Sequence, residues 1–428
     1  MDLIIRDARI LREGELVSAD IAIQGQTIAA IANALQADGP ELRAAGCLVI
    51  SGMIETHIHL DKTCILDRCH IEEGTVAEAV RETAAAKRGF TVEDVYARGK
   101  RTLERCITQG TTRMRTHVEL DPGIGMIGFE AVEQLARDYA WAIDVELCVF
   151  PQEGLTNYPG TEELLIEGLR RGARAIGAVP YFDIDPRAQI DRIFAIARDF
   201  DAEIDMHLDL AETTQGMQIE YVCRKTEEFG WGGRVAVGHA TQMSLLPQDR
   251  FNAIAAQLAS AGVAVTILPS TDLHLMGRSH DHAVPRGVVP AEPLRKVGVT
   301  CSISTNNVLN PFTPYGDGSL IRMANLYANV CHVSRPSDLA GCLDMITGAA
   351  ARLMRLTDYG IAVGGPADLV CLDASNPADA ISTLAQPLWG IKRGRVSFTR
   401  SRPQLHPPGN ESVQPNSKLM QIGPPWSS

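Results

Sequence analysis

No apolar stretch of the chain approaches the roughly 20 residues that a membrane-spanning helix needs, so no membrane partner is expected. Basic residues are in deficit: 40 Lys and Arg stand against 52 Asp and Glu, a formal net charge of −12. A nucleic-acid partner needs a basic surface, so none is expected. The ten cysteines include no CxxC pair, which argues against a structural cysteine-zinc site. Scattered as they are, several in apolar runs such as ELCVF and LVCLD, they read as reduced thiols acting as small hydrophobes. There is no glycine-rich phosphate loop and no internal repeat. The opening MDLIIRDARI carries charges within seven residues and has no apolar core followed by a small-residue cleavage site. The expectation is therefore a chain without a secretory leader, located in the cytoplasm.

What is present is an ordinary globular composition, 45% hydrophobic and 21% charged over 428 residues, enough to bury a large core. The first fifty residues hold short β-type runs (LIIRDARIL, LVSADIAIQG, TIAAIA, CLVIS). From residue 51 the texture changes. Eight strand-like runs follow, at 52–60, 112–120, 144–150, 175–182, 203–210, 234–241, 263–271 and 300–307. Between them lie amphipathic stretches of helical period, such as TVEDVYARGKRTLERCITQG and AQIDRIFAIARDFD. Eight alternations of strand and helix predict a (β/α)8 TIM barrel over 51–356. The β-like GGPADLVCLDA and LWGIKRGRVSF then return to the N-terminal strands, predicting a composite β-sandwich domain from 1–50 and 357–400. Residues 401–428, rich in Pro, Ser, Gln and Asn, are expected to be a tail or an arm on a partner subunit. With the acidic surface, that tail is compatible with the homo-oligomer taken as the expected assembly.

In a TIM barrel the chemistry sits where strands end at the C-terminal face. His57 and His59 end the first strand as His-x-His, and a period of two points both rings to one side. His207 ends the fifth strand, His239 the sixth, and Asn306 with Asn307 the eighth. A lone strand histidine is most simply a satisfied core residue. Four histidines converging from three strand ends are better read as a metal site, and neutral imidazoles suit zinc or iron.

The segments ETHIHLDKT (55–63), RTHVELD (115–121), FPQEG (150–154), DMHLDL (205–210), GHATQM (238–243), DLHLMGR (272–278) and STNNVLNPFTPYGDG (304–318) together resemble the amidohydrolase superfamily, in its cytosine deaminase-like branch. The resemblance runs to about residue 400 and implies a barrel flanked by a β-sandwich. It implies that His57, His59 and His207 bind one divalent transition metal ion, Zn or Fe, whose role is to lower the pKa of a bound water. Strands DVELCVF and AIGAVPYF lack the lysine that bridges two metals in other amidohydrolases, so one ion is expected. By the same resemblance His239 polarises the attacked group or relays a proton, Gln152 hydrogen-bonds a ring amide, and His274 contacts substrate.

Two departures stand out. The branch carries an aspartate at the end of strand eight where this chain has Asn306, and a proton-shuttling glutamate where it has Leu210. An amide cannot act as a base, and general acid–base catalysis contributes about 10²–10⁴-fold. Asp209 is the expected replacement base, with Glu119, Asp61 and Glu212 as weaker candidates. Because Leu210, Asn307 and Asn310 depart as well, natural divergence is favoured over a single deliberate substitution. Lys62 is expected either to face the substrate or, more simply, to pair with Asp61; His117 to line the pocket wall or cap a hydrogen bond without binding metal; and the second His-x-His, His280 and His282, to lie in a solvated substrate lid rather than a second metal site. The expected function is metal-dependent hydrolysis of a C–N bond in a small nitrogen heterocycle. The alternative is a ligand-binding protein on a degenerate deaminase scaffold.

Overall fold

The computed structural model describes residues 1–406. The part of the expected tail beyond residue 406 lies outside the described residues, and 401–406 form no regular element. The N-terminal strands are β1 (Leu3–Arg12), β2 (Glu15–Gln24), β3 (Thr27–Ala32), β4 (Glu41–Arg43) and β5 (Leu48–Ser51). The barrel strands are β6 (Met53–Ile58), β7 (Thr111–Glu119), β8 (Asp144–Phe150), β9 (Ala175–Ile176), β10 (Glu203–Leu208), β11 (Val235–His239), β12 (Val263–Ile267) and β13 (Cys301–Ile303). β14 (Leu369–Leu372), β15 (Pro387–Lys392) and β16 (Arg395–Thr399) follow.

β6 to β13 pair in sequence order, each parallel to the next. The ring closes through Asn306, whose N–H donates to His57 O and whose carbonyl accepts from His59 N–H, both at 2.9 Å. All six residues of β6 are buried, as expected for a parallel strand covered on both faces. Helices fill the crossovers, and side-chain N-caps hold several: Thr75, Thr91 and Asp185 each accept from a backbone N–H three residues on. This is the eight-stranded barrel that the strand–helix alternation implied.

The remaining strands form a second, mixed sheet in the order β16-β15-β14-β5-β1-β2-β3, with β4 beside β1. It has its own core, in which Ile5, Ile21 and Ile28 from the N-terminal part meet Leu369, Cys371 and Trp389 from the C-terminal part. Both chain ends are thus needed to build it. All ten cysteines are unpaired, and no helix among the described residues is long and apolar enough to cross a membrane.

Three strands stop four or more residues earlier than expected. β9 is two residues long instead of running to 182, because Pro180, which has no N–H for a ladder, opens a 3-10 turn over Pro180–Phe182. β12 ends at Ile267, and Pro269 starts the helix Pro269–Leu275 at its first position. β13 ends at Ile303, leaving Asn306 and Asn307 in the irregular segment beyond it.

Candidate active site

The strand ends border a small cavity lined by His59, His207, His239, Gln152, Leu210 and Asn306 among others.

Three ring nitrogens meet at its floor. His57 Nε2 lies 3.1 Å from His207 Nε2, and His59 Nε2 lies 3.0 Å from the same atom. All three rings are buried. Burial, then the neighbouring imidazoles, pushes the His57 pKa down to about 3, and burial holds His59 and His207 well below the ordinary value. With each ring's proton on Nδ1, the three Nε2 atoms offer converging lone pairs to a cation. His57 Nδ1 is 3.3 Å from Asp205 Oδ1, the carboxylate partner that metal-bound histidines commonly have on their second nitrogen. Asp205 is in turn bridged to Arg115 at 3.1 Å. Although burial opposes its ionisation, His117 and His57 hold Asp205 well below the usual carboxylate range. The buried Oδ1 of Asn306 has no hydrogen-bond partner and is a further oxygen available beside the three nitrogens. The donor set therefore fits one divalent transition metal ion, and the three rings form one of the residue groups able to hold a cation. His117 stacks on His57 at 3.8 Å between ring centroids and lies outside this trio, although with His57 and Asp205 it forms a second such group.

His239 stands at the rim of the trio, its ring centroid 5.6 Å from that of His207. Its Nδ1 is 2.6 Å from Asp272 Oδ1, and its Nε2 is 3.5 Å from Asn306 Nδ2. The histidine–carboxylate pair is buried. Asp272 opens the segment DLHLMGR, two residues before His274. The early helix at Pro269 turns Asp272 inward beneath His239 and leaves His274 outside the cavity lining. The His274 Nδ1 instead meets Arg278 Nη2 at 3.0 Å. The expectation that His274 contacts substrate is not met by this geometry.

Asp209 is also not brought to the cavity. It adopts a left-handed φ of 51° as the chain leaves β10, and its carboxylate caps the next helix, Ile219–Phe229, accepting from Gln218 N–H at 2.8 Å and Ile219 N–H at 3.1 Å. Burial raises its pKa to about 6. A carboxylate committed to two backbone donors and absent from the cavity lining is poorly placed to act as base. Glu212 accepts from Arg278 N–H and Ser279 N–H and pins the loop carrying His280 and His282. Asp61 accepts from Glu119 N–H at 2.9 Å.

Lys62 does not pair with Asp61 as expected. It lines the cavity and donates to Gln152 Oε1 at 2.7 Å. Leu210 lines it too and packs with Leu275, Met276 and Phe312. Asn307 lines it and accepts through Oδ1 from Asn310 Nδ2 at 2.7 Å. Left-handed φ values at His239 (71°) and Asn306 (63°) fall on the residues that converge here, the kind of local backbone cost that collects at functional sites.

A parallel barrel with imidazoles and a histidine–aspartate pair at its strand ends defines a hydrolase-type centre. Residues 127–398 match the model of the amidohydrolase family, and the chain belongs to that family. The N-isopropylammelide isopropyl amidohydrolase of Pseudomonas sp. (strain ADP) is 26% identical over 405 residues, which cover 92% of this chain and 96% of that protein. The pterin deaminase of Rhizobium rhizogenes (strain K84 / ATCC BAA-868) is 26% identical over 393 residues, 90% of this chain and 86% of its own. The crystal structure of 5-methylcytosine deaminase from Klebsiella pneumoniae liganded with 5-fluorocytosine superposes with a TM-score of 0.90 at 28% identity, over 95% of this chain and 100% of that one.

Proposed function

We infer that this amidohydrolase is a hydrolase with one metal ion, zinc or iron, that cleaves a C–N bond of a small nitrogen heterocycle by deamination or by opening a cyclic amide. The observation that carries the reading is the buried trio of ring nitrogens in which His57 and His59 each come within 3.1 Å of His207, beside a histidine backed by a carboxylate. The relatives named above act, by their names, on an ammelide, a pterin and a methylated cytosine, all nitrogen heterocycles.

His57, His59 and His207 would hold the metal, which when bound lowers the pKa of water and so supplies the hydrolytic nucleophile near neutral pH. The remaining work falls to the chain's own side chains. Asp272 accepts the Nδ1 proton of His239 and thereby presents the bare Nε2 lone pair to the cavity. His239 takes a proton there and returns it to the departing nitrogen, the proton-handling role that Asn306 and Leu210 cannot fill. Asn306, closing the barrel through its backbone, keeps its amide beside the trio and orients the attacking group. Gln152 positions the ring. Leu210 excludes water from the side where a glutamate would protonate a ring nitrogen.

Replacing His207 by alanine is expected to abolish both metal retention and turnover in an ammonia-release and ring-opening screen over pyrimidines, triazines and imidazolones. Turnover at the wild-type rate in that variant would overturn the assignment. A binding protein without turnover is the second reading, favoured by the lack of a carboxylate among the described residues lining the cavity. Tight heterocycle binding with no product over hours in the metal-loaded protein would support it.

A further inference from the structure

We propose that the cavity selects a ring carrying an anionic oxygen, with the Lys62 ammonium as its counter-ion. This rests on the hydrolase reading only in taking the bound ring as a substrate. Among the described residues bordering the cavity there is no carboxylate, and Lys62 is the one lysine or arginine.

The donor and acceptor inventory points the same way. An ammonium has three N–H donors. Lys62 spends one on Gln152 Oε1 at 2.7 Å. Glu119 Oε2 is 3.6 Å away, near enough to form an ion pair with the ammonium but beyond a hydrogen bond. The other oxygen of Glu119 is bonded to Lys87 Nζ at 2.7 Å, and Lys87 is also held by Asp121 at 2.6 Å and by Glu153. Lys87 thus takes the short hydrogen bonds of the acidic cluster behind the cavity, and Lys62 meets that cluster only through the longer ion pair with Glu119. The Lys62 side chain is only 2% exposed, with the Phe150 and Phe312 rings at 4.8 and 5.3 Å giving partial cation–π compensation. A buried cation with one hydrogen bond is costly, and a ligand oxygen would relieve that cost.

Two amides extend the pattern. Gln152 turns its carbonyl to Lys62, and Asn307 turns its carbonyl to Asn310, so each has its NH2 left for a ligand. Lys62, Gln152 and Asn307 therefore offer N–H donors from the cavity wall. Such a wall fits an acceptor-rich, negatively charged ring edge through charge-assisted bonds. It fits poorly a neutral ring that presents an exocyclic amine, itself a donor. Two chemistries supply the anion: an ionised cyclic imide, or a carboxylate on the ring.

The test is equilibrium binding by titration calorimetry on the full chain as purified, with barbiturate as the ionised imide, orotate as the ring carboxylate and cytosine as the neutral ring. At least one anion is expected to bind about 10- to 100-fold more tightly than cytosine, the worth of a hydrogen bond to a charged group. Lys62→Met is expected to erase that preference. Asn307→Asp, which adds a negative charge to the wall, is expected to weaken the anion by about tenfold or more, and it decides the matter alone if Lys62→Met does not fold. Selective binding of one anion identifies the source of the charge. Equal or tighter binding of cytosine, a preference that survives both variants, or no binding of either anion at millimolar concentration overturns the proposal. Metal content and hydrolysis measured on the same samples separate the two readings. Metal-dependent hydrolysis of a neutral ring without anion preference removes this proposal and leaves the hydrolase standing. Anion preference in a protein that holds no metal and turns nothing over does the reverse.

Discussion

At the scale of single residues, the proposed chemistry turns on the tautomer of His239. Its Nδ1 faces a buried carboxylate at 2.6 Å, an acceptor that favours the tautomer with the proton on Nδ1 and the lone pair on Nε2. Burial raises the Asp272 pKa while the adjacent His239 opposes the rise. Asp272→Asn would present an amide that can donate to Nδ1 and reverse the tautomer. A fall in kcat of about 10²–10⁴-fold, with metal content unchanged by mass spectrometry, is the expected result. A loss of less than a few-fold would mean that His239 does not carry the proton. Little of this was legible in the sequence. Histidines at strand ends announce themselves by a period of two, but Asp272 owes its position to a helix that begins at Pro269, earlier than the apolar run VAVTILPST suggests. Asp209 stays out of the cavity lining for a comparable reason. A left-handed turn after β10 aims it at a helix N-terminus, and a sequence offset of two from His207 carries no information about that turn. Lys62 likewise has an acidic neighbour in sequence yet finds its partner in Gln152, ninety positions away.

At the scale of elements, the site depends on how closely β8, β9 and β10 pack. Gly177, just past β9, leaves no room for a side chain: an added Cβ would stand 2.7 Å from the Asp205 carbonyl oxygen and 2.9 Å from Phe150 Cβ. Backbone cannot yield as a flexible side chain would. Gly177→Ala is therefore expected to destabilise the protein by about 1–3 kcal/mol in denaturant titration, through overpacking. Because Asp205 orients His57, metal affinity should fall with it. An unchanged denaturation midpoint would contradict this account of the β9–β10 contact. The elements themselves were largely readable. β8 appears at the expected residues, 144–150, and the amphipathic stretch ending at Gly262 is the helix Gln248–Ala261. Strand lengths were not readable, since apolar runs continue into turns that Pro180 and Pro269 start.

At the scale of the whole molecule, the barrel and the terminal sheet are clasped by one lysine. Lys392 at the end of β15 is fully buried, and its Nζ bonds Asp368 at 2.7 Å, Asp144 of β8 at 2.7 Å and the Thr112 carbonyl of β7 at 3.1 Å. Removing one member of a buried charge network costs about 3–5 kcal/mol, because its partners are left uncompensated. Lys392→Met is expected to lower the first thermal transition by several degrees, and an unshifted transition would mean that the clasp contributes nothing. The joining of the two chain ends into one sheet was foreseeable from β-like runs on either side of the barrel. The clasp was not, because it links residues 248 and 280 positions apart.

The central claim is that the three converging histidines hold a metal. The most direct measurement is the metal content of the purified protein by plasma mass spectrometry, on material never exposed to chelator. Close to one zinc or iron per chain, lost in His207→Ala, is the expected result. No bound transition metal, even after reconstitution with zinc and with iron, would contradict the claim and leave the cavity as a binding site alone.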